Sequence, residues 1–243
     1  SSGSSLHHRG YRTATNIAPL NEVLAAGIVM LSGWDQTVDF LDPMCGSGTV
    51  LIEAAMLACN IPANINRKEF AFEKWNDWDE ELFYKIEEAQ ISKIRGLAGT
   101  ISGFDKAPSA IEKARENIRN ANLDEFITIE KNNFLYAEKE TDRPLHIVSN
   151  PPYVEAHDAH LSQGDLRFEP LSALVAGTDG LADIRLMIKA ATKHLKPQGW
   201  LMLEHGYQQA SQVASLFSAA GFSHIQHGLD LAGIQRVTLG QCR

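Results

Sequence analysis

The fold is decided by one stretch of the sequence, Val38-Asp39-Phe40-Leu41-Asp42-Pro43-Met44-Cys45-Gly46-Ser47-Gly48. Its first four residues form a short apolar run typical of a buried strand, and the two glycines after it mark a tight turn. Thr49 to Ala58 follow with helical character. The stretch therefore predicts a strand, a glycine turn and a helix in direct succession.

Strand and helix patterns alternate beyond that stretch. The predicted helices are 19 to about 33, 49–58, 79–95 within a polar insertion at 60–99, 108–120, 181–195 and 208–220, and the predicted strands are 38–41, 101–104, 126–130, 145–149, 200–203, 223–229 and 235–240. Strands that alternate with helices form βαβ units, whose strands run parallel. We predict an α/β fold with a mostly parallel seven-stranded sheet, helices on both faces, and a C-terminal antiparallel hairpin.

The composition argues against several classes of protein. The 243 residues carry a formal net charge of -8, which argues against a stand-alone nucleic-acid binder because phosphate neutralisation supplies most of that affinity. The longest apolar run, Val23 to Leu31, is too short to cross a bilayer. The three cysteines, Cys45, Cys59 and Cys242, are too far apart for a disulfide framework or a zinc site. We expect a cytoplasmic protein without a membrane segment or a metal, and its oligomeric state stays open.

Some residues are interpreted as structural. Ser1 to Ser5 have the composition of a linker or tag remnant. Two small basic clusters are interpreted as solvated surface. They consist of His8, Arg9 and Arg12, and of Arg67 and Lys68. Trp75 and Trp78 could stack on bases, but hydrophobic anchoring of the insertion is favoured.

The glycine turn predicts a ligand site. Ligands of open α/β sheets bind beyond the carboxyl ends of the strands, where the strand order reverses. Gly46 and Gly48 let the backbone approach a ligand, and the helix after them points free N–H groups towards negative charge. A phosphate loop would need a Gly-Lys-Ser/Thr ending, and a dinucleotide fingerprint would need a glycine at Leu51. Both nucleotide alternatives are therefore weakened.

Polar residues follow the next two strands. Asp105 closes the second strand, where a carboxylate accepts hydrogen bonds from ribose hydroxyls, although it could instead cap the helix at Pro108. Asn132 and Asn133 follow the third strand and could bind an adenine edge or simply form a turn.

The most specific feature is Asn150-Pro151-Pro152-Tyr153, directly after an apolar strand. This segment could hold the planar NH2 group of a substrate. Such a group is a poor nucleophile until it is oriented, because its lone pair is delocalised. The Asn150 side-chain carbonyl can accept one N–H, a proline-held backbone carbonyl can accept the other, and Tyr153 offers a flat stacking face. The alternative is a proline-stiffened turn.

His157 and His160 lack further ligands for a metal.

The motif from Asp42 to Gly48 resembles the first motif of class I S-adenosylmethionine-dependent methyltransferases, and Asn150 to Tyr153 resemble the amino-methyltransferase motif. The resemblance implies a Rossmann-like fold and S-adenosylmethionine as cofactor, with S-adenosylhomocysteine as product. It implies a catalytic set of Asn150, Pro151, Pro152 and Tyr153. It implies cofactor contacts from Asp42, Met44, Cys45, Gly46, Ser47, Gly48, Asp105, Lys106, Asn132, Asn133 and Asn150.

The two parts of the chain resemble different families. The runs His8-Arg9-Gly10-Tyr11-Arg12 and Ala18-Pro19-Leu20, together with the glycine motif and the Trp-containing insertion, resemble bacterial 23S rRNA guanine-N2 methyltransferases. The runs Arg167-Phe168-Glu169-Pro170, Ala173-Leu174-Val175, Asp179-Gly180 and Leu203-Glu204-His205-Gly206 resemble release-factor glutamine methyltransferases of the HemK type. We interpret residues 6–243 as one domain, with a cofactor-binding half at 6–148 and a substrate-side half at 149–243. This interpretation predicts an engineered or recombined hybrid joined near Asn150.

Three functions follow from these resemblances. The substrate is either the glutamine side chain of a peptide release factor or guanine N2 of ribosomal RNA. The third reading is a hybrid that folds and binds the cofactor with little or no turnover, because misplacing a reacting group by about 1 Å can cost on the order of a hundredfold in rate.

Overall fold

The computed structural model describes residues 5, 7–12, 20–137, 143–163, 167 and 170–243. Most of the predicted linker at 1–5, and the motif residues Ala18, Pro19, Phe168 and Glu169, lie outside the described residues.

The described chain forms seven α-helices and seven strands. The helices are α1 (Glu22–Leu31), α2 (Thr49–Ala58), α3 (Glu80–Ile91), α4 (Pro108–Asn120), α5 (Leu171–Leu174), α6 (Ala182–His194) and α7 (Ala210–Ala219), with short 3-10 helices at Ala71–Lys74 and Ala159–Ser162. The strands are β1 (Asp39–Asp42), β2 (Ile101–Asp105), β3 (Ile127–Lys131), β4 (Leu145–Ser149), β5 (Trp200–Glu204), β6 (Ser223–Leu229) and β7 (Gln235–Gln241).

All seven strands join one sheet in the order β3-β2-β1-β4-β5-β7-β6. The pairs from β3 to β5 are parallel, whereas β7 pairs antiparallel with both β5 and β6. The predicted α/β fold, its mostly parallel sheet and its closing hairpin are therefore confirmed.

Two apolar cores cover the two faces of the sheet. Side chains alternate along a strand, so Ile147 packs into the core with α6 and α7, whereas its neighbour Val148 packs into the core with α1, α2 and α4. β1 and β4 are buried along their whole length, as expected for parallel strands covered on both faces. Helices on both faces are thus confirmed.

Several predicted boundaries need correction. α1 begins at Glu22, because the Asn21 side chain caps it by accepting hydrogen bonds from two backbone N–H groups. α3 ends at Ile91 rather than Arg95, whose side chain instead binds the carbonyl of Ala58 at the end of α2, with Nε 2.8 Å from the oxygen. The predicted loop at 154–178 contains a 3-10 helix and α5.

The aromatic residues of the insertion behave differently from one another. Trp78 packs against Phe72 and Phe83, with ring centroids 5.4 and 5.1 Å away. Trp75 is 53% exposed and contacts Phe72 at its edge, with ring centroids 6.3 Å apart, so it anchors the insertion less than Trp78 does.

Candidate active site

The predicted ligand residues gather at the carboxyl edge of the sheet. β1 lies between β2 and β4, and the strand order reverses there, since β2 and β3 extend one way and β4 and β5 the other. This is the switch point at which open α/β sheets bind ligands. The strand ends at this edge supply the glycine turn, the Asp105 carboxylate and the Asn150 segment.

The glycine turn leaves the start of α2 without a side-chain cap. Gly46 and Gly48 have φ angles of +52° and +83°, which side-chain-bearing residues rarely adopt. Gly48 is the N-cap of α2 and supplies no side-chain hydrogen bond, so the first N–H groups of the helix lack a cap. Such a helix end is suited to bind a carboxylate or another anion.

Asp105 bridges the glycine turn and the start of α4. Its Oδ2 accepts a hydrogen bond from Gly46 N at 3.0 Å, and its Oδ1 accepts one from Ala107 N at 2.8 Å. Each carboxylate oxygen has a further lone pair for a ligand hydroxyl. Ala107 rather than Asp105 is the N-cap of α4, so the carboxylate supports the start of that helix without capping it.

Asp42 and Ser149 tie the glycine motif to the strand before Asn150. Ser149 Oγ donates to Asp42 Oδ1 at 2.8 Å, and the same oxygen accepts from Met44 N at 3.1 Å. Both side chains are buried. Burial raises the pKa of Asp42 to about 7, although the two hydrogen bonds oppose the shift. This hydrogen bond therefore ties the end of β1 to the end of β4.

Asn150 is available for a ligand. Its half-buried side chain makes no hydrogen bond to the described residues. Pro151 is buried and Pro152 half-buried, and their rings restrict the backbone at Asn150 and directly after it. An amide that can accept and donate thus lies next to the Ser149 and Asp42 contact.

Tyr153 is held at its backbone and at its hydroxyl. Its carbonyl accepts from Gln209 Nε2 at 3.0 Å. Its hydroxyl donates to Glu204 Oε1 and accepts from Arg236 Nη2, each at 3.4 Å. Burial raises the pKa of Tyr153, so the phenol stays protonated.

Asn132 and Asn133 take part in the turn after β3. Asn132 N donates to the carbonyl of Asp105 at 3.1 Å. The two side-chain carbonyls accept from Asn133 N and Leu135 N, as expected of turn-forming residues, and leave the amide NH2 groups for other acceptors.

The other residues predicted to contact the cofactor surround the turn. Cys45 is buried, Met44 and Ser47 are half-buried, and Lys106 is exposed. Ser47 is fixed through its carbonyl, which accepts from Asn117 Nδ2 at 3.0 Å. Their position next to Gly46 and Asp105 follows from the chain.

The predicted basic surface at Arg9 and Arg12 is wrong. Arg9 is 9% exposed and pairs with Glu53 at 3.4 Å. Arg12 Nη2 donates to Thr49 Oγ1 at 2.9 Å, at the first residue of α2, and lies 3.7 Å from Glu22. Burial became possible because each guanidinium has a carboxylate partner on the packed helices.

Sequence reasoning also missed the roles of three residues at this edge. Ser149, Glu204 and Arg236 contact Asp42 and Tyr153 across strands. A polar residue at the end of an otherwise apolar strand, as at Ser149 and Glu204, is the signal that could have found two of them.

Within the described ranges, no three or more His, Cys, Asp or Glu side chains are grouped so as to hold a metal ion. No helix in the same ranges has the length and apolarity needed to cross a bilayer.

The fold and this edge define a class of protein, the Rossmann-like S-adenosylmethionine-dependent methyltransferases. The particular family follows from a match over residues 9–197 to the model of the UPF0020 family, the RMKL-like methyltransferase domain. The chain belongs to this family. The match continues past Asn150, near which the two parts were predicted to join.

Similar proteins agree with that assignment. The chain is 44% identical over 158 residues to ribosomal RNA large subunit methyltransferase K/L of Aliivibrio fischeri, covering 63% of this chain and 22% of that protein. It is 44% identical over 142 residues to release factor glutamine methyltransferase of Pseudomonas aeruginosa, covering 58% of this chain and 51% of that protein. The structure of SMU.472 in complex with SAH (S-adenosylhomocysteine) matches with a TM-score of 0.72 and 27% identity, over 99% of this chain and 56% of that one.

The chain therefore spans about a fifth of the first relative and about half of the second. The coverages of 63% and 58% sum to more than the whole chain, so the two relatives share part of the region that they match.

Proposed function

We propose that the chain binds S-adenosylmethionine at the glycine turn and methylates a planar NH2 group held at Asn150. The hydrogen bond of 2.8 Å between Ser149 Oγ and Asp42 Oδ1 carries this proposal, because it joins the glycine motif to the Asn150 segment. The cofactor supplies an activated methyl group when bound.

The residues of the turn fit the proposed cofactor. The uncapped N–H groups of α2 suit the carboxylate of its methionine part. The free lone pairs of Asp105 suit its ribose hydroxyls, and the amides of Asn132 and Asn133 remain for the adenine edge. Met44, Cys45, Ser47 and Lys106 are proposed to line the same site.

The Asn150 segment fits the proposed acceptor. The side-chain carbonyl of Asn150 would accept one N–H of the acceptor, and the backbone carbonyl of Pro151 or Pro152 the other, so that the nitrogen has one orientation. Tyr153 would stack on the acceptor plane. Catalysis by this chain is then mainly positioning, and no acid or base is required.

The glutamine side chain of a peptide release factor is the favoured acceptor. The stretch Val154–Gln163, directly after Tyr153, contains Glu155 and Asp158 but no Lys or Arg. RNA would bring phosphates to this surface, where negative side chains weaken binding. Guanine N2 of ribosomal RNA is the second candidate, motivated by the relative from Aliivibrio fischeri.

We also propose that residues 6–243 form one domain, in which a half at 6–148 binds the cofactor and a half at 149–243 binds the acceptor. Each half would derive from one of the two families. The cytoplasmic setting expected from the sequence stays a prediction.

Label transfer from methyl-labelled S-adenosylmethionine tests the proposal. The wild type, Asn150→Ala and the exposed control Asn76→Ala are each incubated with a peptide release factor and with 23S rRNA fragments. We expect label on the release factor with the wild type and the control, and none with Asn150→Ala. Calorimetric titration with S-adenosylhomocysteine should give equal affinity for all three.

The other outcomes are distinct. Label on rRNA alone would replace the proposed acceptor by guanine. Binding of S-adenosylhomocysteine without label on either acceptor would remove the enzymatic part, and loss of binding in Asn150→Ala equal to its loss of transfer would contradict the division of roles.

A further inference from the structure

A cluster of three polar side chains lies beside the Asn150 segment. Glu204 is the last residue of β5, Arg236 is the second residue of β7, and Tyr153 follows β4. The tyrosine hydroxyl lies between the other two, 3.4 Å from Glu204 Oε1 and 3.4 Å from Arg236 Nη2. The guanidinium carbon of Arg236 also lies 5.9 Å from the centre of the Tyr153 ring.

This cluster is a costly way to stabilise a fold. Glu204 is 3% exposed, and its Oε2 finds no hydrogen-bond partner among the described residues. Its ion pair with Arg236 is long, at 3.9 Å. Burying a carboxylate costs more than a long ion pair returns, and apolar side chains in its place would be at least as stable. A buried carboxylate with one oxygen unpartnered, next to the candidate site, indicates a functional role.

The backbone of Tyr153 is already fixed by other contacts. Its carbonyl accepts from Gln209 Nε2 at 3.0 Å. Gly180 packs against the same carbonyl so closely that a Cβ at this position would lie 2.4 Å from the oxygen. What remains to be fixed is the direction of the ring, and Glu204 and Arg236 contact the atom at the far end of that ring.

The register of the sheet places this cluster next to Asn150. The parallel pairing of β4 with β5 ends with Ser149 opposite Leu203. Asn150, the first residue after β4, is therefore level with Glu204, the last residue of β5, which still pairs with Val237 of β7.

We propose that Glu204 and Arg236 are positioning residues for methyl transfer, which hold the Tyr153 ring in the orientation that supports the acceptor at Asn150. The inference rests on the proposed function. Glu204 accepts from the tyrosine hydroxyl, and Arg236 donates to it, so the pair fixes the ring from two sides.

The arrangement is pH-dependent. Two titratable or charged groups face Glu204, namely Arg236 from β7 and Tyr153 from the segment after β4. Burial raises the pKa of Glu204 to about 7, although Arg236 and Tyr153 oppose the shift. Protonation removes the charge that attracts Arg236, so the hold on the ring weakens as the pH falls through about 7.

Nuclear magnetic resonance of tyrosine tests the hold on the ring without any acceptor. The chain has five tyrosines, so ring-labelled protein gives few signals, and Tyr153→Phe assigns the relevant one. We expect the Tyr153 signal to shift with a midpoint near pH 7 in the wild type and to stay constant in Glu204→Gln. A Tyr153 signal with the same chemical shift and the same pH profile in Glu204→Gln as in the wild type would overturn the inference.

Kinetics test the consequence for transfer. Glu204→Gln keeps a hydrogen-bonding oxygen but loses the charge, and we expect kcat to fall roughly ten- to hundredfold with KM for S-adenosylmethionine unchanged. The fall of kcat between pH 8 and pH 6 should disappear in this variant. The milder Arg236→Lys should retain more activity, and the control Glu88→Gln, at an exposed position of α3, should match the wild type.

The proposed function and the positioning role of Glu204 and Arg236 can be refuted by different results. If no acceptor is methylated but the Tyr153 signal titrates only with Glu204 present, the proposed function fails, and only the hold of Glu204 and Arg236 on the Tyr153 ring stands. If transfer occurs and Glu204→Gln has the kcat and pH profile of the wild type, the positioning fails and the proposed function stands.

Discussion

Replacing Asp42 by Asn is expected to flatten the pH dependence of the free energy of unfolding. Asp42 is 2% exposed, and burial raises its pKa to about 7, whereas an unfolded Asp titrates near 3.9. Between these values the native state keeps a proton that the unfolded state has released. The stability that this group contributes is therefore present at low pH and is lost as the pH rises from about 4 to about 7.

The size of the effect follows from the pKa difference. Each pKa unit corresponds to about 1.4 kcal/mol, so a shift of about three units is worth ~4 kcal/mol over the full range. Between pH 5 and pH 8 the linkage relation leaves ~2 to 3 kcal/mol. The amide in Asp42→Asn still offers an oxygen to Ser149 and to Met44 N, but it has no proton to lose.

Other buried groups also change the stability between pH 5 and pH 8. The pH dependence of Asp42→Asn must therefore be compared with that of the wild type. Burial lowers the pKa of His146 to about 4, and its contribution has the opposite sign, because stability is lost as the pH falls below the unfolded value. Glu204, with its pKa raised to about 7, acts in the same direction as Asp42. Both groups are unchanged in Asp42→Asn, so their contributions cancel in the difference.

Urea denaturation followed by tryptophan fluorescence at pH 5 and pH 8 measures the effect. The wild type and the exposed control Asp77→Asn should share one pH dependence. In Asp42→Asn the change between the two pH values should differ by ~2 to 3 kcal/mol. An equal change in all three proteins would refute the reasoning, since Asp42 would then be ionised in the native state throughout.

Three further substitutions probe the same edge and its support. Gly48→Ala should lower the affinity for S-adenosylhomocysteine in calorimetric titration, because φ is +83° and the new Cβ would lie 3.3 Å from Ala114 Cβ; unchanged affinity would contradict the role of the turn. Asp105→Ala should weaken the same affinity roughly tenfold or more through the loss of charge-assisted hydrogen bonds, and a full-affinity variant would leave only the helix-start role. Arg95→Ala should lower the free energy of unfolding by ~1 to 2 kcal/mol in urea, because Nε lies 2.8 Å from the carbonyl at the end of α2, whereas an unchanged midpoint would show that this contact is solvated.

The regular elements were largely predictable because they bury apolar residues periodically. The predicted bounds of α2, α4 and β4 match the structure. Gly48 precedes α2, Pro108 begins α4, and Asn150 follows β4, and each element carries buried apolar residues. Local signals and packing therefore agree on these bounds. α3 was harder to predict, because none of its described residues is buried and no apolar stripe marks where it ends.

The sequence indicates the candidate site only where its residues are contiguous along the chain. The glycine motif and the Asn150 segment each occupy neighbouring positions, so their patterns could be read directly. Arg12 was interpreted as surface because its partner Thr49 lies 37 residues away. Glu204 and Arg236 likewise meet Tyr153 only after the sheet has formed. Pairing across distant strands leaves no periodic signal in a single sequence.

The edge of the sheet that forms the candidate site contains buried carboxylates that lower the stability of the fold. Asp42 and Glu204 are buried carboxylates whose raised pKa values show that the protein holds each charge at a cost near neutral pH. Apolar residues would avoid that cost, but they could not link the glycine turn to β4 or hold the Tyr153 hydroxyl. Such a trade of stability for alignment is expected where catalysis depends on positioning, and it predicts that stabilising substitutions at these two residues reduce methyl transfer.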